Sequence, residues 1–116
     1  MKKIITKPWG NYVVLSRGKG FLLKKLTVKP SAILSYQSHQ FRSEHWIIIS
    51  GKATVILNDK TYYKNKNENI FIPQRAKHRV LNESKTKNLI LIEVQTGIKF
   101  LESDIKRYSD IYGRSK

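Results

Sequence analysis

Residues 37–46 read Gln37-Ser-His39-Gln-Phe-Arg42-Ser-Glu44-His45-Trp46, or QSHQFRSEHW. Gln37, His39 and Glu44 each offer a side-chain donor atom that a metal can take. Residues 26–35, just before, are apolar and Thr-rich and read as a strand; residues 46–50 read as another, stopped by Gly51. Residues two apart on a strand share a face, so Gln37 and His39 point the same way. Glu44 opens the next strand after a short turn and can face back at them. His78, heading a further strand, completes a set of two imidazoles, a carboxylate and an amide oxygen. That mixed N/O set suits a divalent transition metal. The rest of the chain reads as the barrel that holds these four residues together.

Working outward, short strands follow one another with turn signals between them. Segments 11–16, 21–29, 32–39, 44–50, 53–57, 61–63, 69–72, 78–82 and 89–95 all carry strand-like runs. Asn58-Asp59 is a hairpin signal, and Pro30 and Pro73 stop their strands. Many short strands at this spacing predict an all-β sandwich or barrel. In the tail, Ser103-Asp104 precedes Ile105, Tyr108 and Ile111, a spacing that predicts one or two helical turns within 101–112.

The 116 residues, 40% apolar and 10% aromatic, predict a single domain over 1–116 with a modest core. No apolar run reaches the ~18 residues of a membrane span. The start, MKKIITKPWG, is basic like a signal peptide but lacks the apolar stretch one needs. Without cysteine there is no disulfide framework and no thiolate metal site. A cytoplasmic protein is the expectation. The net charge of +15, from 23 basic and 8 acidic residues, raises nucleic-acid binding as a possibility. Yet the lysines are scattered, and no RNA-recognition or helix-turn-helix pattern is present. The expectation is a solvated basic surface with no nucleic-acid partner, one that attracts anionic substrates such as sugar phosphates. A small open barrel leaves sheet edges to cover, and the arm over residues 1–10 is available to pair across subunits. A homodimer is therefore expected.

The two ligand-bearing segments resemble the two sequence motifs of the cupin superfamily. Ser31, Gln37, His39, Glu44 and Gly51 fall on the positions of the first motif; Asn67, Pro73, Arg75, His78 and Asn82 fall on those of the second. Ser31, Asn67 and Arg75 stand where the motifs carry glycine, and Arg accepts a positive φ less readily than Asn. More narrowly, KPWGNY, LTVKP, LSYQSHQFRSEHWIIISG, FIPQRAKHRVLN, LIEVQTG and DIYGR resemble type II phosphomannose isomerases. That module also forms the C-terminal part of bifunctional phosphomannose isomerase/GDP-mannose pyrophosphorylases, and the likeness runs from Lys7 to Arg114.

The resemblance implies a cupin double-stranded β-helix, a jelly-roll barrel. It implies metal ligation by Gln37, His39, Glu44 and His78, and interconversion of mannose 6-phosphate with fructose 6-phosphate. Pyrophosphorylase activity is not implied, because the chain is short and has no Gly-rich nucleotide loop. Zinc is the expected metal, and the same donors suit Mn, Co, Ni or Fe. Competing readings are an isomerase or epimerase of another phosphorylated or nucleotide-linked sugar, or a non-catalytic sugar-binding cupin.

Other residues carry alternatives. Arg42 grips a substrate oxyanion or is a solvated turn residue. Glu93, sharing a strand face with Leu89, Leu91 and Gln95, is a candidate proton-transfer base, since an acid among apolar residues titrates high. His45 faces away from Glu44, while Trp46 shares its face as core or sugar-facing wall. Lys77 and Arg79 flank His78 as surface residues, and Lys99 and Arg107 are candidate phosphate contacts from the tail.

Overall fold

Alternating apolar and polar residues build an all-β molecule in the computed structural model, which describes residues 2–113. Strands are numbered in chain order. The larger sheet is ordered β1 (Ile4–Lys7), β2 (Gly10–Gly18), β3 (Phe21–Val28), β10 (Leu89–Gly97), β5 (Arg42–Ser50) and β8 (Asn69–Ile72). The smaller is ordered β11 (Lys106–Ser109), β4 (Tyr36–Ser38), β9 (His78–Leu81), β6 (Ala53–Leu57) and β7 (Lys60–Lys64). All strand pairs are antiparallel. The jelly-roll expectation is met as two separate sheets; among the described residues no continuous ladder closes them into one barrel.

The inward positions change character along each strand, and this divides the interior. Val28 and Leu26 on β3 pair with Leu89 and Leu91 on β10, and Leu91 pairs with Ile48 on β5. All five are buried. One step along, Glu93 pairs with Lys24 and with Trp46, and Gln95 pairs with Glu44. These too are buried. One end of the interior is therefore an apolar core, each side chain contributing roughly 1.5–3 kcal/mol by burial. The other end holds polar groups that must find partners or a ligand.

One local expectation is corrected. The tail forms no helix: Lys106–Ser109 is strand β11, paired antiparallel with β4. A three-residue β4 leaves a row of backbone donors and acceptors open, and β11 fills it; a lone helical turn would leave them unmet. Asp104 does cap, but it caps a turn. Its carboxylate accepts from the Gln40 and Phe41 N–H groups at 2.9 and 3.0 Å. The N-terminal arm is ordered on its own chain: Ile4–Lys7 pairs with β2 and forms the outer edge of the larger sheet.

The three residues at motif glycine positions all take the left-handed region: Ser31 at φ 63°, Asn67 at 73° and Arg75 at 70°. The turns keep their shape without glycine, at a cost in backbone strain. Arg75→Gly is therefore expected to stabilise the protein by roughly 0.5–1 kcal/mol, after allowing for glycine's greater freedom in the unfolded chain. Asn67→Gly should gain less, since Asn accepts this conformation better. Urea denaturation midpoints check both, and a lower midpoint for Arg75→Gly would contradict the strain argument.

Candidate metal and acid–base site

The polar end of the interior opens into a cavity whose wall includes Gln37, His39, Arg42, Glu44, His78 and Glu93. Period-2 alternation on β5 puts Arg42, Glu44 and Trp46 inward and sends His45 out to bond Asn69 at 3.0 Å. β10 lies beside β5 and adds Glu93 and Gln95. β4 and β9, on the opposite sheet, bring Gln37 and His78 together as Cα partners. At the start of β5, Gly97 pairs with Arg42, and a Cβ at Gly97 would collide with the Phe41 carbonyl oxygen. Only glycine lets the two chains pass that closely.

His39, Glu44 and His78 offer donor atoms that lie within 4.8 Å of one another, and all three residues are buried. His39 Nδ1 is 3.3 Å from Glu44 Oε2, and His78 Nε2 is 3.8 Å from Glu44 Oε1. His78 Nδ1 sits 2.9 Å from the Ala76 carbonyl, which can only accept, so Nδ1 carries the proton and Nε2 keeps its lone pair for the site. The Gln37 amide nitrogen donates to the Ser35 hydroxyl at 2.9 Å and the Ser35 carbonyl at 3.2 Å, which leaves its oxygen available to a ligand. Each Glu44 oxygen is also oriented: Trp46 Nε1 donates to Oε1 at 3.0 Å and Arg42 Nε donates to Oε2 at 3.1 Å.

Protonation states follow from burial and neighbours. Burial pushes His39 down to about 4, against the pull of Glu44, and lowers His78 as well. Both rings are thus neutral near pH 7. Burial alone would raise the Glu44 carboxyl, but His39, His78 and Arg42 outweigh it and hold it well below the carboxylate range. Two neutral imidazoles, a carboxylate and an amide oxygen are the state a divalent metal needs, so the donor chemistry fits one. Glu93 goes the other way. Burial, then the charge of the adjoining Glu44, pushes it up to about 8, against the opposing pull of Lys24. Gln95 Nε2 donates to Glu93 at 2.6 Å and fixes its plane. The site thus pairs one carboxyl kept charged with one that titrates close to neutral pH, the pattern that separates acid–base roles.

A family model described as Mannose-6-phosphate isomerase C-terminal matches residues 1–110. The chain belongs to the mannose-6-phosphate isomerase C-terminal family. Alginate biosynthesis protein AlgA of Pseudomonas aeruginosa is 44% identical over 111 residues, covering 96% of this chain and 23% of AlgA. The chain therefore spans less than a quarter of the length of that relative. The solved structure of Pac13 from Streptomyces, described as a nucleoside dehydratase, aligns with a TM-score of 0.80 at 13% identity, covering 95% of this chain and 87% of that one. The cupin domain of Schizosaccharomyces pombe Cnp3 aligns at 0.71 and 16% identity, over 75% and 64% of the two chains. At these identities the likeness shows the fold, which is of the cupin type.

In this member of the mannose-6-phosphate isomerase C-terminal family, several other side chains lie where the sequence did not put them. Arg42 is 7% exposed, so it is no solvated turn residue. Its Nη1 donates to the Leu101 carbonyl at 3.3 Å, and its Nη2 has no partner among the described residues. Lys99 stands over the Phe41 ring, 4.7 Å from its centroid, and lies outside the cavity wall, whereas Arg107 is part of that wall. Arg79, expected at the surface, also lines the cavity, while Lys77 sits over Tyr108 outside it. Tyr112 accepts from the Ile33 N–H at 3.4 Å and ties down the tail; Arg114 lies outside the described residues.

A group missed from sequence lines one side. Glu102 accepts from the Tyr12 hydroxyl at 2.9 Å and is ion-paired with Lys24 at 3.4 Å and Lys7 at 3.6 Å. Lys24 reads as one of a solvated pair with Lys25, yet it is 7% exposed. Its inward place was legible in the alternation of β3, between Leu22 and Leu26. Glu102, which meets Tyr12 across 90 positions of sequence, gave no local signal.

Proposed function

We propose that this chain is a metal-dependent aldose–ketose isomerase that interconverts mannose 6-phosphate and fructose 6-phosphate. The observation that carries the reading is the contact between a charged Glu44, among neutral histidines, and a Glu93 raised toward neutrality. Family membership supports the choice of sugar. Gln37, His39, Glu44 and His78 would hold the metal, whose contribution when bound is Lewis-acid stabilisation of negative charge on the sugar oxygens. Glu93 takes the proton from C2 of the aldose and returns it at C1, while the hydroxyl proton passes from O2 to O1. A carboxyl titrating near neutrality suits both directions, because it is neither too weak to accept the proton nor too strong to release it. Arg42, whose Nη2 has no partner among the described residues, donates to the oxygen that gains charge as the proton leaves. Trp46 orients Glu44 and closes the floor of the cavity against the apolar core. The chain is further proposed to act in the cytoplasm; among the described residues no helix is long and apolar enough to cross a membrane.

A coupled assay on mannose 6-phosphate tests this, run on protein stripped with chelator and then given Zn, Mn, Co, Ni or Fe singly. Turnover is expected to vanish with chelator and return with at least one metal. His39→Ala should bind far less metal than wild type by elemental analysis and show no turnover. If wild type turns over nothing with any metal, the non-catalytic sugar-binding reading takes first place.

A further inference from the structure

We infer that Arg107 is the residue that recognises the phosphate of the substrate, and so sets the preference for phosphorylated over free sugar. This rests on reading the cavity as a hexose-phosphate site. Five cationic side chains line the cavity: Lys7, Lys24, Arg42, Arg79 and Arg107. Four of them are engaged. Lys7 and Lys24 share the Glu102 carboxylate, and Arg42 holds Glu44. Arg79 donates through Nε to the Leu34 carbonyl at 3.0 Å and through Nη2 to the Ser109 carbonyl at 3.3 Å.

Arg107 alone has no acceptor among the described residues, and its Nε is buried with nothing to bond. A buried donor left unmet is costly, and native structures rarely tolerate one unless a ligand or water satisfies it. The unmet group here is a planar fork that fits two oxygens of a phosphate at once. Its place also fits. Arg107 on β11 is the Cα partner of Gln37 on β4, so it borders the candidate metal site from the smaller sheet. Glu93 stands on the larger sheet. A sugar held between the sheets thus meets the base on one wall and a free guanidinium on the other.

Kinetics and calorimetry on the full chain test this with Arg107→Ala and Arg107→Lys. Arg107→Ala should raise KM for mannose 6-phosphate roughly tenfold or more and leave kcat and metal content near wild type, the signature of lost uniform binding. Inhibition by inorganic phosphate should weaken in parallel, while binding of unphosphorylated mannose stays unchanged. Arg107→Lys keeps the charge without the fork and should fall between the two. It also carries the test should Arg107→Ala misfold. If wild type turns over mannose 6-phosphate and both variants keep its KM, the role of Arg107 is refuted and the isomerase reading stands. If wild type shows no turnover but binds mannose 6-phosphate in an Arg107-dependent way, the isomerase reading fails and the phosphate site stands. Equal weakening for mannose and mannose 6-phosphate would overturn the assignment, since Arg107 would then be shaping the cavity and not reading the phosphate.

Discussion

Changing Glu93 to Gln is expected to lower turnover of mannose 6-phosphate roughly 10²- to 10⁴-fold, the usual contribution of a positioned general base. Glu93 sits 6% exposed between the strands that carry Lys24 and Trp46, and its carboxyl is pushed up to about 8 by burial and by Glu44. In the protonated form it donates toward Glu44, and a glutamine amide can make the same donation. The variant keeps shape and hydrogen bonding and loses only the ability to take a proton. Melting temperature and metal content should therefore match wild type, which separates a chemical defect from a folding one. Turnover within about threefold of wild type would mean that another group moves the proton.

That Glu93 stood out at all reflects what period-2 alternation makes legible. An acid in register with Leu89 and Leu91 is visible on paper, and the strand ladder places it as the pattern implies. The same logic holds for Glu44 facing His39 and for His45 facing away. Motif spacing went further, since Ser31, Asn67 and Arg75 adopt the left-handed turns that glycine would favour. What failed was information that is not local. Ile105, Tyr108 and Ile111 have a helical spacing, but the open edge of β4 decided the conformation of the tail, and an edge is a property of the fold. The partners of Lys24, and the lack of an acceptor for Arg107 among the described residues, were equally out of reach. Whether a cation is solvated, paired or left free in a cavity depends on which loops arrive beside it. Residues 98–105 bring Glu102 to Lys24 and Asp104 to Gln40, and leave Arg107 without an acceptor among the described residues.

Arg42→Ala is expected to do two separable things. In metal-free protein it should cost about 3–5 kcal/mol of stability, as removing one partner of a buried ion pair does. Glu44 is 3% exposed, and the guanidinium 3.1 Å away is the permanent positive charge paired with it among the described residues, because His39 and His78 are neutral near pH 7. The loss should appear as a melting temperature lower by roughly 10–20 °C in chelator. A divalent metal brings a larger positive charge to the same carboxylate, so adding it should restore most of that loss. Adding Glu44→Gln to Arg42→Ala should also restore stability in chelator, since no unpaired charge is then buried. Turnover should behave differently. With metal present, Arg42→Ala should remain at least roughly tenfold slow, because the Nη2 donor is gone and a charged hydrogen bond to an oxyanion contributes about 1.5–3 kcal/mol. Equal melting of Arg42→Ala and wild type in chelator would show that Arg42 is not what keeps Glu44 charged. Full turnover in metal-restored Arg42→Ala would remove Arg42 from the chemistry and leave it only a structural partner of Glu44.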